Sequence, residues 1–470
     1  MEFKMLIGGD LVAGSGTMDV INPATAAVIS QCPRGTAVDI NAAVAAAKGA
    51  FPAWSELSVA ERSQVLLKIA DVVDANVDEL ARLITLEGGC PLEFTKFEAA
   101  GLAASLRYFA GLSLPETLIE NSTSRRVRLV RRSLGVVAAI TPWNFPFDVI
   151  GVKLPPALMA GNTVVLKPAG TTPLASLHLG RLIARIVPPG VVNVVSDAND
   201  LGDILTQHPD VRKVSFTGST ATGRRVMANA AATLKRLTLE LGGNDAAIVL
   251  DDADVKKIAT DIAFWAFFHA GQVCIGLKRL YVHASIYDSM CEELVAIAGK
   301  TVVGDGLTAG TQLGPLQNLK QFERALEYIA DGRKHGKVIA GGERLPGPGY
   351  FIPPTVVRDI TDGSRLVDEE QFCPVLPVIK YTEIDEVIRG INTSSFGLGG
   401  SVWSSDPSRA LAVAERLNVG MVWINKHCDV ATHIPFAGSK ASGVGVEFGQ
   451  EGLLDFTQIH IINEPAAQAT

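Results

Sequence analysis

Between Val136 and Thr220 the chain alternates short apolar, β-branched runs with longer segments of helical period, and this alternation restricts the fold more than any other feature. Val136 to Ile140, Thr163 to Lys167, Val191 to Val195 and Val214 to Phe216 read as strands, with helices expected after Phe147, from Leu174, near Leu201 and from Thr220. Strands separated by helices of this length pair in parallel through right-handed crossovers, which gives a doubly wound sheet of the dinucleotide-binding type. The pattern restarts at Ala246 to Leu250, Asp254 to His269 (helix), Leu280 to His283 and Ile286 to Ala298 (helix). It runs on through Asp385 to Ile391, Gly400 to Trp403, the Pro407 to Leu417 helix and Met421 to Asn425, so a second α/β unit follows the first. A chain of 470 residues exceeds one simple core, and two or three domains are expected.

The flanks differ. Met5 to Ile29 reads as hairpin strands decorating an edge, and Asp39 to Leu112 as amphipathic helices broken at Pro52 and at Gly88-Gly89. Ser122 to Arg132, where five arginines interleave with Val127, Leu129 and Val130, reads as a two-faced strand, either a solvated ribbon or one between subunits. The tail from Glu464 to Thr470 is expected to fray. A net charge of -7 argues against a nucleic-acid or anionic-membrane partner, and no run reaches the roughly 20 apolar residues of a membrane span. Met1 to Met5 lacks a signal-like apolar core, and Cys32, Cys90, Cys274, Cys291, Cys373 and Cys428 show neither disulfide-framework nor metal-ligand spacing. A cytoplasmic enzyme without a metal is expected.

Two stretches carry chemistry. Leu239 to Asn244 sets Glu240 before a glycine turn, and Gly271-Gln272-Val273-Cys274 sets a thiol behind another glycine. A thiolate can form an acyl intermediate and a carboxylate can activate water to hydrolyse it; a lone cysteine is otherwise an inert buried thiol. Phe216 to Gly223 follows a strand and opens a helix, as a phosphate site or a plain helix cap would. Lys167 ends a strand, where open α/β sheets bind ligands. Thr141 to Pro146 presents the Asn144 amide on a rigid loop, as an oxyanion donor or a structural turn amide.

Five motifs in order, Pro142-Trp143-Asn144-Phe145-Pro146, Phe216-Thr217-Gly218-Ser219, Leu239 to Gly243, Gly271 to Cys274 and Glu369-Glu370-Gln371-Phe372-Cys373-Pro374, resemble the NAD(P)-dependent aldehyde dehydrogenases over essentially the whole chain, and Pro435-Phe436 and Ser442-Gly443 also fit. The resemblance implies an α/β fold with a Rossmann-type cofactor domain (1-114 and 134-240), a second α/β catalytic domain (241-440), an oligomerisation ribbon (115-133 and 457-466) and a return segment (441-456). It implies Cys274 as nucleophile, Glu240 as general base, and Asn144 with the Cys274 N–H as oxyanion hole, with Lys153 and Glu447 relaying protons. Lys167 would touch the adenosine ribose, Gly218 and Ser219 the pyrophosphate, and Glu370 with Phe372 the nicotinamide ribose. Thr141, Pro142, Trp143, Gly170, Phe216, Leu241 and Gly242 complete the expected cofactor surface. A homodimer or homotetramer built through the ribbon is implied as well.

Two departures matter. Gly170 stands where many NAD-preferring relatives carry a glutamate for the 2'-hydroxyl, so NADP is left open beside a favoured NAD. Cys373 replaces the glycine of a Phe-Gly-Pro motif, which could shift the local backbone or place a second thiol near the site. By analogy the substrate tunnel is Phe145, Phe147, Val149, Val152, Phe268, Val273, Ile275, Cys428, Val430 and Phe436, with Lys426, His427 and His433 able to line its mouth. So apolar a lining fits aliphatic, terpenoid or aromatic aldehydes better than anionic semialdehydes. The competing readings are a CoA-acylating semialdehyde dehydrogenase, against which Glu240 counts, and a non-catalytic binding protein on the same fold.

Overall fold

The structure is a computed structural model that describes residues 2–465. Its first sheet runs in the order Gly443–Val444, Arg236–Glu240, Val211–Thr217, Val136–Ile140, Thr163–Lys167, Val192–Val194, Met5–Ile7, Asp10–Val12. The five strands from Arg236–Glu240 to Val192–Val194 are parallel, and both edges are closed by antiparallel neighbours. Strand order reverses between Val136–Ile140 and Val211–Thr217, and ligands bind outside the carboxyl ends of strands at such a point. β-Branched residues such as Val137, Val165, Val194 and Val214 are fully or almost fully buried on this sheet, because helices cover both faces. The Met5–Ile7 and Asp10–Val12 hairpin decorates its edge, as expected, whereas the Thr17–Asn22 and Ala27–Pro33 hairpin that follows does not join it and forms a separate two-stranded sheet.

The second sheet has seven strands in the order Lys337–Ala340, Thr355–Arg358, Val375–Tyr381, Arg279–His283, Ala246–Val249, Gly399–Trp403, Met421–Ile424, parallel except at the first pair. Each sheet has its own apolar core. A smaller apolar cluster, with Val273, Ile275, Leu398, Trp423, Cys428 and Phe436 at its centre, lies around Cys274. Thr457–Pro465, Arg125–Ser133 and Thr117–Asn121 form a separate three-stranded ribbon.

Several local expectations are corrected. Pro52 does not break its helix, which runs Ala37–Glu56: the proline is exposed in the last turns, so the carbonyl it leaves unpaired is left to water. The Ser122 to Arg132 strand is the second arm of a hairpin, Arg125–Ser133, and the Ser122 N–H and hydroxyl both donate to the Arg125 carbonyl in its turn. Glu464 and Pro465 are not frayed but pair with Arg126 and Arg125; 466–470 lie outside the described residues. The helix expected to reach His269 stops at Phe267, for a reason that belongs to the site.

Candidate active site

Two short loops meet between the sheets. His269, Ala270 and Gly271 have φ values of 50°, 54° and 70°, a run of left-handed residues that ends the Val255–Phe267 helix and turns the chain toward Cys274. A Cβ on Gly271 would stand 2.3 Å from the Cys373 carbonyl oxygen, so this turn accepts glycine alone. Gln272 locks it: its amide Nε2 donates to the His269 carbonyl at 2.9 Å, and its Oε1 accepts the Gln317 N–H at 2.8 Å. Opposite, Arg236–Glu240 delivers Glu240 at its carboxyl end. A Cβ on Gly243 would lie 2.5 Å from the Cys274 carbonyl oxygen, so the glycine turn after Glu240 rests on the thiol's own loop.

Burial sets the charge states of the site. Both Glu240 carboxylate oxygens are buried and find no hydrogen-bond partner among the described residues. Burial pushes the Glu240 carboxyl well above the usual carboxylate range; Glu447 adds to the shift and Lys153 opposes it. The Cys274 thiol is pushed up to about 12 by burial, reinforced by the charges of Glu370, Asp245 and Glu240. Buried His269 falls to about 4 and is neutral. Asn144 is buried and its amide Nδ2 donates to the Gln272 carbonyl at 2.8 Å, so one donor ties it to the Cys274 loop and the second N–H stays available.

Lys153 and Glu447 are brought together: Nζ lies 2.6 Å from Glu447 Oε1 and donates to the Ser215 hydroxyl at 2.9 Å, all inside the protein. On the same strand as Ser215, Lys213 Nζ donates to Asp455 at 2.7 Å and lies 4.8 Å from the centre of the Phe456 ring.

The expected cofactor residues line the carboxyl ends of the first sheet. The Thr141 N–H donates to the Lys167 carbonyl, and the buried hydroxyls of Thr141 and Thr217 find no partner among the described residues, as a polar ligand would require. The Gly218 N–H donates to the Glu240 carbonyl, the Phe216 ring lies against Gly218, and Ser219 caps the Thr220–Ala231 helix by accepting the Thr222 N–H. Leu241 is buried behind that helix. Glu370 lies over Gly242 and accepts the Gly243 N–H at 2.9 Å. Phe372, at φ 48°, meets Trp143, which follows Pro142, edge to face at 5.5 Å. These residues fit a dinucleotide.

The tunnel list needs correction. Phe145, Phe268, Val273, Ile275, Cys428 and Phe436 gather around Cys274, and Phe145 stacks on Phe268 at 6.0 Å. Phe147 does not join them, being fully buried in the first sheet's core, and Val430 is 41% exposed. The helix Pro146–Met159 sets this phase: Phe145, Asp148, Val149 and Val152 share one face and Phe147 points away. Asp148, absent from the expected lining, is exposed on the helix face it shares with Phe145 and Val152, its Oδ1 turned toward Gly101, and desolvation by the surrounding protein raises its carboxyl to about 7. Nearby Glu98 accepts the Phe147 N–H at 2.8 Å. His427 does not line the mouth: it is buried between the Ser401 hydroxyl and the Ile275 carbonyl, while Lys426 pairs outside with Asp429. Cys373 is a buried thiol raised to about 12 by desolvation.

Further residues escaped sequence reasoning. Lys278, fully buried, donates to the Gly271 carbonyl and stands 5.0 Å from the Phe372 ring. The available signal was the pair Lys278-Arg279 set between the apolar Leu277 and Leu280. Phe94, 4.9 Å from Phe268, brings an aromatic from a distant helix that no local motif announces.

The chain matches the aldehyde dehydrogenase family over residues 11–462. It is 41% identical to the phenylacetaldehyde dehydrogenase of Pseudomonas fluorescens, covering 97% of this chain and 95% of that one. Among solved structures, an E. coli NADP-dependent enzyme superposes with a TM-score of 0.96 at 38% identity, covering 99% of this chain and 98% of that one. The betaine aldehyde dehydrogenase of Staphylococcus aureus in complex with NAD+ does so at 0.96 and 33%, covering 100% of this chain and 96% of that one. With its two sheets, its thiol loop and its carboxylate turn arranged in this way, the chain belongs to the aldehyde dehydrogenase family.

Proposed function

We propose that this aldehyde dehydrogenase oxidises an uncharged, apolar or aromatic aldehyde to its acid through a thioester on Cys274 that Glu240-activated water hydrolyses. One observation carries the reading: the buried, unpartnered Glu240 carboxylate sits on the turn whose Gly243 backbone touches the Cys274 loop. The Cys274 S–H proton leaves to water as the sulfur bonds to the aldehyde carbon, and the oxygen that becomes an oxyanion takes N–H donors from Asn144 and the Cys274 backbone. Lys167 would hold NAD+ or NADP+ toward adenosine, Gly218 and Ser219 at the pyrophosphate, and Glu370 with Phe372 toward the nicotinamide ribose, and the cofactor so held would accept the hydride that leaves the former aldehyde carbon as the thioester forms. Glu240 then takes a proton from water as the water oxygen bonds to the thioester carbon and the C–S bond breaks, with Lys153 and Glu447 placed to pass that proton on. The acyl group goes to water because a base is present; acyl-CoA as the main product would reverse this assignment. In domain terms, 1-114 and 134-240 carry the cofactor, 241-440 the nucleophile, and the ribbon the subunit contact.

The aromatic relative and the rings of Phe94, Phe145 and Phe268 support the substrate class. The test is rapid mixing with benzaldehyde. Cys274→Ala should abolish NAD(P)H formation, whereas Glu240→Gln should keep a first-turnover burst and lose steady-state rate. Asn144→Ala should lower the burst rate by about 10²- to 10³-fold, the usual cost of an oxyanion donor. Normal turnover by the Cys274 variant would end the proposal.

A further inference from the structure

We propose that Asp197 makes the adenosine end of this site selective for NAD over NADP, by pairing with Lys167 inside the protein and withholding its charge from a 2'-phosphate. The inference rests on the reading above that Lys167 faces the adenosine ribose.

Gly170 is not simply a position that has lost its carboxylate. A Cβ there would stand 2.5 Å from the Asp197 carbonyl oxygen and 3.2 Å from the Asn199 nitrogen, and the Gly170 N–H donates to Asn199 Oδ1 at 2.9 Å. The turn from 197 to 199 fills the space a glutamate would occupy. That same turn brings a carboxylate from the next strand end. Lys167 Nζ donates to Asp197 Oδ1 at 2.5 Å, while Asp197 Oδ2 accepts the Leu201 N–H at 2.8 Å. Asp197 is fully buried and Lys167 nearly so.

The electrostatic consequence differs for the two cofactors. An ammonium has three donors; Asp197 and, at 3.4 Å, the Pro168 carbonyl engage two of them, which leaves one for a ribose hydroxyl. A hydroxyl needs only that donor. A 2'-phosphate needs net positive charge, and here it meets a neutral pair whose carboxylate repels it and whose separation would leave a charge buried alone. Arg34 is likewise paired, 2.6 Å from Asp200 on the segment that follows Asp197.

Fluorescence titration of the full-length protein with NADH and NADPH tests this without turnover. Wild type should bind NADPH at least about tenfold more weakly than NADH, and Asp197→Asn, checked for folding by circular dichroism, should narrow that gap by about tenfold through tighter NADPH binding. Lys167→Gln serves as the second variant, and its loss should be similar for both cofactors. Equal affinities in wild type, an unchanged ratio in folded Asp197→Asn, or a loss confined to NADPH in Lys167→Gln would overturn the proposal. If Lys167→Gln leaves both affinities intact, the placement of Lys167 at the ribose fails instead, and failure of wild type to bind either dinucleotide rejects the cofactor site as a whole.

Discussion

A carboxylate held above its usual range is no base until its proton leaves, so the Glu240 shift has a direction in pH. Hydrolysis of the acyl-enzyme should climb as pH rises through the raised Glu240 pKa, and Glu240→Gln should flatten that limb; p-nitrophenyl acetate, which acylates the thiol without a cofactor, would report it. Asp148 bears on substrate charge. Its carboxyl, raised to about 7, will repel a second carboxylate once ionised, so succinate semialdehyde should be a poorer substrate than hexanal or benzaldehyde at pH 8. Asp148→Asn should raise kcat/KM for succinate semialdehyde by about threefold to tenfold and leave hexanal unchanged, as expected for removing one partly solvated charge. Cys274, Glu240 and Asn144, for which the roles above are proposed, could be picked out in the sequence because each sits in a short motif whose chemistry is local. Asp148 could not, since the phase of its helix is set by where Phe145 ends the preceding loop, and motif analogy placed Phe147 on the wrong face.

Elements position these groups, and two of them offer stability tests. Gly271→Ala sets a Cβ against the Cys373 carbonyl at positive φ, which should cost about 1 to 3 kcal/mol or more and disorder the Cys274 loop, read as a lower Tm with lost activity. Glu87, fully buried, accepts the Leu174 and Ala175 N–H groups at the start of the Leu174–Ile183 helix, and burial raises its carboxyl to about 8. Because the folded value lies above the unfolded one, near 4.3, its stabilisation is complete below about pH 4 and fades as pH rises toward 8. Glu87→Gln, which keeps one cap bond, should therefore lose about 1 to 2 kcal/mol near pH 5 and progressively less toward pH 8 in thermal melts. Strands rich in β-branched residues were legible to the residue, Val136–Ile140 and Thr163–Lys167 among them. The Leu319–His335 helix and the Thr355–Arg358 and Val375–Tyr381 strands went unseen, because nothing in their stretch signalled which sheet they would join.

Across the whole molecule the ribbon leaves Leu118, Ile119, Ile459 and Ile461 each roughly half exposed, on a sheet tied internally by Arg128 to Glu116 and Glu464. We expect a dimer or tetramer by sedimentation, and Ile459→Lys with Ile461→Lys should shift it toward a smaller species; a wild-type monomer would remove the ribbon's proposed role. No helix among the described residues is long and apolar enough to cross a membrane. The α/β class and the succession of two sheets were legible from alternation alone, whereas the way they join was not, because it depends on pairings between remote segments. Gly443–Val444 is the clearest of these: it lies antiparallel to Arg236–Glu240, and the Ser442 carbonyl accepts the Leu241 N–H. A ribosome releases the strand bearing the base, and the thiol loop as well, long before this segment emerges. Until then the strand has an open edge able to pair with other chains, and the turn after Glu240 lacks its support. The turn that carries Glu240 is therefore braced only by a segment made well after the strand and the thiol loop it supports, and that open edge is exposed to aggregation in the interval.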